Sequence, residues 1–341
     1  MDPEQLGRVD AMVAARGGVA RLTVMRHGRV VLDRGYGCDP DALFLLFSVS
    51  KPYLGLLIHL LVERGALRLD DPVAAHWPEY GKDAITVRHV LTHRAGVPYS
   101  SGTVWGDAAA MSTWDRAVTQ AERARPRWAA GTVPAYHVLS YGFVLGELVR
   151  RVTGEPVAEV LRRELLEPLA LRDTYLGLPA ATLDRAVRLV GRGGAGEAGF
   201  AMLFNRRRVR EAVIPAATVS TTGRDLATLY QALLDRSGPV TEPIVRAATE
   251  VSADNEMDRV IRAPMRWGHG FQLGAAAGAD RPMGTKSAPE TFGHNGSGAC
   301  LAWADPTRSL VVVYLTNLIT SGRRSMIQQC AISDAILHAT A

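Results

Sequence analysis

The stretch FSVSKPYLGLLIHLL, residues 47–61, limits what this 341-residue chain can fold into more than any other. Beyond Lys51 nearly every position is apolar, so a helix there has no face to offer water and must be enclosed by other elements. Enclosing it takes a large core, which a chain of this length can supply without disulfides. Pro52 is tolerated in a first helical turn and Gly65 stands just past the last, which predicts a helix over 49–64. Two serines and a lysine stand at the mouth of that helix. A solvated helix start accounts for them, and so does a nucleophile held beside its own amine base.

Ser48 and Lys51 are spaced i, i+3, so on a helical turn they share one face and can touch. Ser50 adjoins Lys51 and faces elsewhere, which makes Ser48 the better nucleophile. The backbone N–H groups of a first turn point outward and the helix dipole there favours negative charge. An alkoxide, or a carbonyl oxygen becoming an oxyanion, is stabilised in such a place. An amine that is partly buried and near another cation has its pKa lowered and can take the serine proton. Lysine is also a rare choice in this chain. It occurs only at 51, 82 and 286, and the other positive charges are arginine, which does not give up its proton.

The composition is otherwise that of an ordinary globular protein, 47% hydrophobic and 21% charged. The net charge of +5 invites a nucleic-acid reading. The basic residues are scattered, however, and NRRRVR at 205–210 reads as a solvated loop or helix face, so no nucleic-acid partner is expected. No apolar run reaches the roughly 18 residues of a membrane span, and MDPEQLGRVDAMVAARGG holds no signal-peptide core. No membrane partner is expected, and a cytoplasmic location is. Cys38, Cys300 and Cys330 lack C-x-x-C spacing and read as reduced thiols. His89 and His93 have zinc-ligand spacing, but no Glu follows His89 and no third ligand is evident, so neither a metal nor an organic cofactor is expected.

Residues 3–16 have helical spacing, and 20–37 read as two strands turning at His27-Gly28. Helices are expected at 86–96, 139–154, 156–169 and 220–235, the last capped by Thr222, with Asp225 three residues on. GRGGAGEAG at 191–199 reads as a flexible surface loop. Strands follow at 268–274, 298–306 and 309–317, then a helix from about 322 to 338. Strands at both ends with helices between them imply an α+β fold, with an antiparallel sheet flanked by helices and a helical lobe inserted in the middle. The chain reads as one domain. An α/β lobe takes about 1–60 and 210–341, a helical lobe about 61–209, and a cleft between them would hold the site.

Five segments in order carry a resemblance. LFSVSKPYLGLLIHLLVERGALRLDDPV, ITVRHVLTHRAGVP, AAGTVPAYHVLSYGFVLGELVRRVTG, IPAATVSTTGRDLATLYQALL and FGHNGSGACLAWADP are similar to successive landmarks of the serine β-lactamase and penicillin-binding-protein superfamily. Within it they resemble most the class C β-lactamase-related esterases of family VIII carboxylesterase type. The S-x-x-K and K-T-G motifs are that superfamily's signature, with H-x-G here in the place of the second. The resemblance implies a serine β-lactamase or DD-peptidase-like fold. It makes Ser48 the nucleophile that becomes acylated, Lys51 its proton acceptor, and Tyr136 a proton shuttle. It puts His294 where the third motif's lysine would stand. The backbone N–H groups of Ser48 and Ser297 would form the oxyanion hole, with His137, Asn295 and Gly296 around the cleft. Taken singly, Tyr136 reads as a buried phenol and His294 as a sheet histidine; the ordered set reverses both readings.

The chain departs from the pattern at Val138, where the superfamily has the asparagine that binds a substrate's amide side chain. Losing that group weakens recognition of peptide-like amides and favours a smaller or less polar acyl group. His294 in place of lysine removes a charge that would attract a substrate carboxylate. The expected function is hydrolysis of a small-molecule carboxylic ester through an acyl-Ser48 intermediate. The alternatives are an acyltransferase passing the group to an amine or alcohol, then a β-lactamase or D-amino peptidase, then a catalytically silent scaffold. The oligomeric state is open.

Overall fold

A computed structural model describes residues 1–275 and 281–340. An eight-stranded antiparallel sheet is built from strands near both ends of the chain. In chain order its strands are β1 (Ala20–Arg26), β2 (Arg29–Tyr36), β3 (Ala253–Met257), β4 (Pro264–Trp267), β5 (Gln272–Leu273), β6 (Phe292–Asn295), β7 (Leu301–Asp305) and β8 (Leu310–Thr316). Their spatial order is β2-β1-β8-β7-β6-β5-β4-β3. β1 and β8 lie side by side and are buried on both faces, β8 as a Val-rich run, while β2 is a largely exposed edge.

The period of two along β8 divides the core. Val311, Val313 and Leu315 face one cluster, and Leu310, Val312 and Tyr314 face another. The second cluster is closed by α1 (Pro3–Arg16) and a C-terminal helix, Gly322–His338, which pack on each other. The first and larger one holds α2 (Lys51–Glu63), fully enclosed as its composition requires. Tyr53, Leu56, Leu57 and Ile58 are each at most 1% exposed, and each contributes roughly 1.5–3 kcal/mol by burial. Bordering that cluster are α3 (Val104–Ala110), α4 (Ser140–Thr153), which packs on α2, α5 (Ala195–Phe204) and α6 (Gly223–Asp235), which packs on β1, β7 and β8; α7 is the helix Gly322–His338. Gly55 is required on α2 because a Cβ there would meet the His269 carbonyl at 2.6 Å.

Four expectations need correction. The helix predicted over 49–64 begins as a 3-10 turn at Phe47–Ser50 and becomes α-helical only at Lys51. The helix predicted over 86–96 spans only Val87–Leu91, since the chain turns left-handed at His93 (φ +58°). The stretch 191–199 is not all loop, because α5 starts at Ala195, where Phe200 and Phe204 find an aromatic partner in Phe47. In NRRRVR, Arg210 is buried and donates to the Val187 carbonyl at 2.9 Å, so that run is only partly a solvated face. Among the described residues no helix is long and apolar enough to cross a membrane. Cys38, Cys300 and Cys330 form no disulfide.

Candidate active site

The approach to Ser48 is fixed from both sides. The Leu46 N–H donates to the Val219 carbonyl at 2.9 Å, and the Val219 N–H donates to Ser50 Oγ at 3.1 Å. Ser50 is therefore a buried structural hydroxyl, and Ser48 is the half-buried one. Just ahead of Ser48 the backbone is bent, with Phe47 at φ +51°, an uncommon conformation for a bulky residue. Its ring is held by Phe200 (centroids 5.5 Å apart) and Phe204 (5.0 Å, edge-on). The bend lifts Ser48 onto the 3-10 turn that opens α2.

One turn on, Lys51 is fully buried. Its Nζ donates to the Val138 carbonyl at 2.9 Å and lies 3.4 Å from Ser48 Oγ. The same nitrogen sits 4.6 Å from the centre of the Tyr136 ring. Among the described residues no carboxylate pairs with it, and loss of hydration lowers its pKa to about 7. Burial alone accounts for the shift, without the neighbouring cation that sequence reasoning invoked.

Tyr136 reaches Ser48 with its hydroxyl, and burial raises that hydroxyl above the ordinary phenol range. Its ring stacks on Trp267 (centroids 5.4 Å apart, planes 11° apart). Its N–H donates to Asp258 Oδ1 at 3.1 Å, and Trp267 Nε1 donates to Asp258 Oδ2 at 3.3 Å. Asp258, 0% exposed, thus clamps both members of the stack. Sequence reasoning missed Asp258 and Trp267, which are far from any motif and come near only through the β3–β4 hairpin. It gave no role to His93, whose ring lies 4.8 Å from Tyr136 and whose Nδ1 accepts the His137 N–H at 3.2 Å. His89 instead accepts the Thr86 N–H within its helix cap. The two do not form a metal pair, and no cluster fit for a metal stands among the described residues.

His294, on β6, is buried with its ring 6.1 Å from Tyr136. Its Nδ1 faces the Asn295 carbonyl at 2.7 Å. A carbonyl only accepts, so Nδ1 carries the proton and Nε2 presents a bare lone pair. That Nε2 has no hydrogen-bond partner among the described residues. Burial, helped by nearby Lys51, lowers the His294 pKa to about 3, and burial does the same to His137. His137 stacks on His93 (5.6 Å) behind Tyr136. The Asn295 side chain turns toward the scaffold, accepting from Gln272 at 2.9 Å and donating to Gln329 of α7 at 3.3 Å.

Gly296 brings the β6–β7 turn against the Ser48 turn, since a Cβ there would lie 2.2 Å from the Leu46 carbonyl. Ser297 follows, exposed, and its N–H meets no acceptor among the described residues. Ser48 and Ser297 share the wall of a cavity of about 300 Å³. The rest of the lining is apolar, from α3, α5, Val138–Leu139 and Ala216–Ala217.

A half-exposed hydroxyl beside a buried, readily neutral amine and a phenol suits nucleophilic attack with proton transfer. A family model described as Beta-lactamase matches residues 7–327. Esterase/beta-lactamase LipL of Mycobacterium tuberculosis is 27% identical, over 90% of this chain and 78% of its own. Esterase EstB of Burkholderia gladioli is also 27% identical, over 92% and 89%. A solved penicillin-binding protein homologue from Caulobacter crescentus is 30% identical, covering 99% of this chain and 98% of its own, with a TM-score of 0.81.

Proposed function

The chain belongs to the beta-lactamase family, and from that premise we propose that it is a serine hydrolase that cleaves carboxylic esters through an acyl-Ser48 intermediate. The observation that carries this reading is the fully buried Lys51 amine, lowered to about 7 and 3.4 Å from Ser48 Oγ. The names of the two esterase relatives support the choice of ester.

In the proposed mechanism Ser48 Oγ attacks the carbonyl carbon while its proton passes to neutral Lys51, directly or through Tyr136. The carbonyl oxygen takes up negative charge between the N–H groups of Ser48 and Ser297. Collapse breaks the bond to the alcohol oxygen, which leaves with the proton returned through Tyr136. Water then repeats the sequence and releases the acid and free Ser48. The reading treats the chain as one domain, with the sheet and the helical stretch 61–209 as the two walls of the cleft.

A cavity with so few polar groups holds water poorly, which keeps transfer to an amine or alcohol as a second reading of the same acyl-enzyme. A β-lactamase or peptidase is less well served, because Val138 offers no side-chain amide to the substrate. The test is incubation with a fluorophosphonate or p-nitrophenyl acetate followed by peptide mass spectrometry. An adduct on Ser48, absent in Ser48→Ala, is expected. Absence of both adduct and turnover would overturn the proposal in favour of a silent scaffold. Amine acceptors added during turnover separate amide from free acid.

A further inference from the structure

We propose that the cavity beside Ser48 is the acyl-chain site, and that it selects an uncharged, apolar acyl group of several carbons, hexanoyl rather than acetyl. This rests on the acyl-Ser48 reading above and assigns the substrate's two halves to different sides of the nucleophile.

The assignment follows from what lines the cavity and what does not. Ser48 and Ser297 are on its wall; Lys51, Tyr136 and His294 are not. The departing alcohol oxygen has to receive a proton, so it must face the Lys51 and Tyr136 side. The carbon chain on the other side of the carbonyl then points into the cavity. The walls there are Val138 and side chains of α3 and α5, among them Trp105, Ala108, Phe200 and Phe204. Among the described residues no charged side chain lines this space, so a carboxylate or ammonium on the acyl group would lose hydration with nothing to pair with. At about 300 Å³ the cavity stands at the lower end of small-molecule sites, far more than an acetyl methyl occupies. It is less polar than the superfamily's pattern, as Val138 implied. At that volume it has room for more than the small acyl group the sequence suggested. Trp105, 72% exposed, stands at its rim with a large apolar surface turned to water, and a bound chain would cover part of it.

The test is kcat/KM for two ester series. One varies the acyl chain on a p-nitrophenyl leaving group, from acetate through butyrate to hexanoate, with the hemisuccinate as a charged member. The other holds acetate and lengthens the alcohol. A fully buried methylene, at about 0.8 kcal/mol, is worth fourfold, and half-burial about twofold. The acyl series should therefore rise about two- to fourfold per methylene, the hemisuccinate should fall well below butyrate, and the alcohol series should stay nearly flat. Ala108→Phe, which fills the cavity from a half-exposed position, should lower the hexanoate-to-acetate ratio about tenfold. Trp105→Ala, at an exposed site that leaves the core untouched, should lower it by a smaller factor. A flat acyl series, a preference seen only in the alcohol, or a ratio unmoved by both variants overturns this proposal while leaving ester hydrolysis standing. No turnover of any ester and no Ser48 adduct overturns both.

Discussion

Lys51 and Val138 are joined by a 2.9 Å hydrogen bond from the amine to the carbonyl, which ties α2 to the segment that carries Tyr136. A neutral amine with one hydrogen committed to that carbonyl can turn its lone pair toward Ser48 Oγ, 3.4 Å away. Lys51→Arg keeps the positive charge and removes the base, because guanidinium does not deprotonate. Turnover of p-nitrophenyl acetate should fall more than about a hundredfold. Rates near those of the unmodified chain would remove Lys51 from the base role.

Acylation should show an acid limb near pH 7, since Lys51 is protonated below that value. His137 and His294, both lowered to about 3, stay neutral throughout pH 5–9 and add no limb of their own. A profile of kcat/KM that is flat from pH 5 to 9 contradicts this.

The same shift has a stability consequence of definite sign. The folded Lys51 pKa is about 7 against an ordinary 10.5, so between these values the unfolded chain binds more protons and stability rises with pH. The cost of the buried amine is full below pH 7 and gone above 10.5. Lys51→Met should raise Tm most at pH 6 and progressively less toward pH 10. A gain that grows with pH would refute the assignment.

Tyr136→Phe keeps the stack on Trp267 and removes only the hydroxyl that meets Ser48. Turnover should drop by at least about a hundredfold, the low end for lost general acid–base help, with Tm little changed. A change of a few fold would reduce Tyr136 to packing.

Gly296→Ala places a Cβ 2.2 Å from the Leu46 carbonyl, so the two turns that carry Ser297 and Ser48 must separate. Overpacking of this kind costs about 1–3 kcal/mol, readable in chemical denaturation, and kcat should fall with it. Unaltered kinetics would show that the spacing of the two turns is not needed.

Much of the candidate site could be read from the chain because its proposed chemistry is local. Ser48 and Lys51 lie on adjoining turns, and the scarcity of lysine marks the pair. Burial of α2 followed from the absence of a polar face. The rest depends on contacts distant in sequence. Asp258 looks like any loop aspartate until the β3–β4 hairpin sets it against the Tyr136 N–H. β3 itself, with the sequence ADNEM, is a mostly exposed edge without apolar alternation. α5 was obscured because the glycines ahead of it signal a loop, while its reason to form, the ring of Phe47, lies about 150 residues earlier in the chain. The Asn295 side chain, expected in the cleft, is drawn off by Gln272 and Gln329, which no local pattern reveals.

The sheet joins β1 to a strand made far later in the chain. β1 pairs with β8 from Ala20 opposite Thr316 to Arg26 opposite Leu310. During translation the β1–β2 hairpin must wait, one ladder unfilled, until β8 has left the ribosome. An open edge of that kind recruits other strands, so until then the nascent chain carries an aggregation hazard at β1. A stop codon ahead of Leu310 should give inclusion bodies rather than a shortened enzyme.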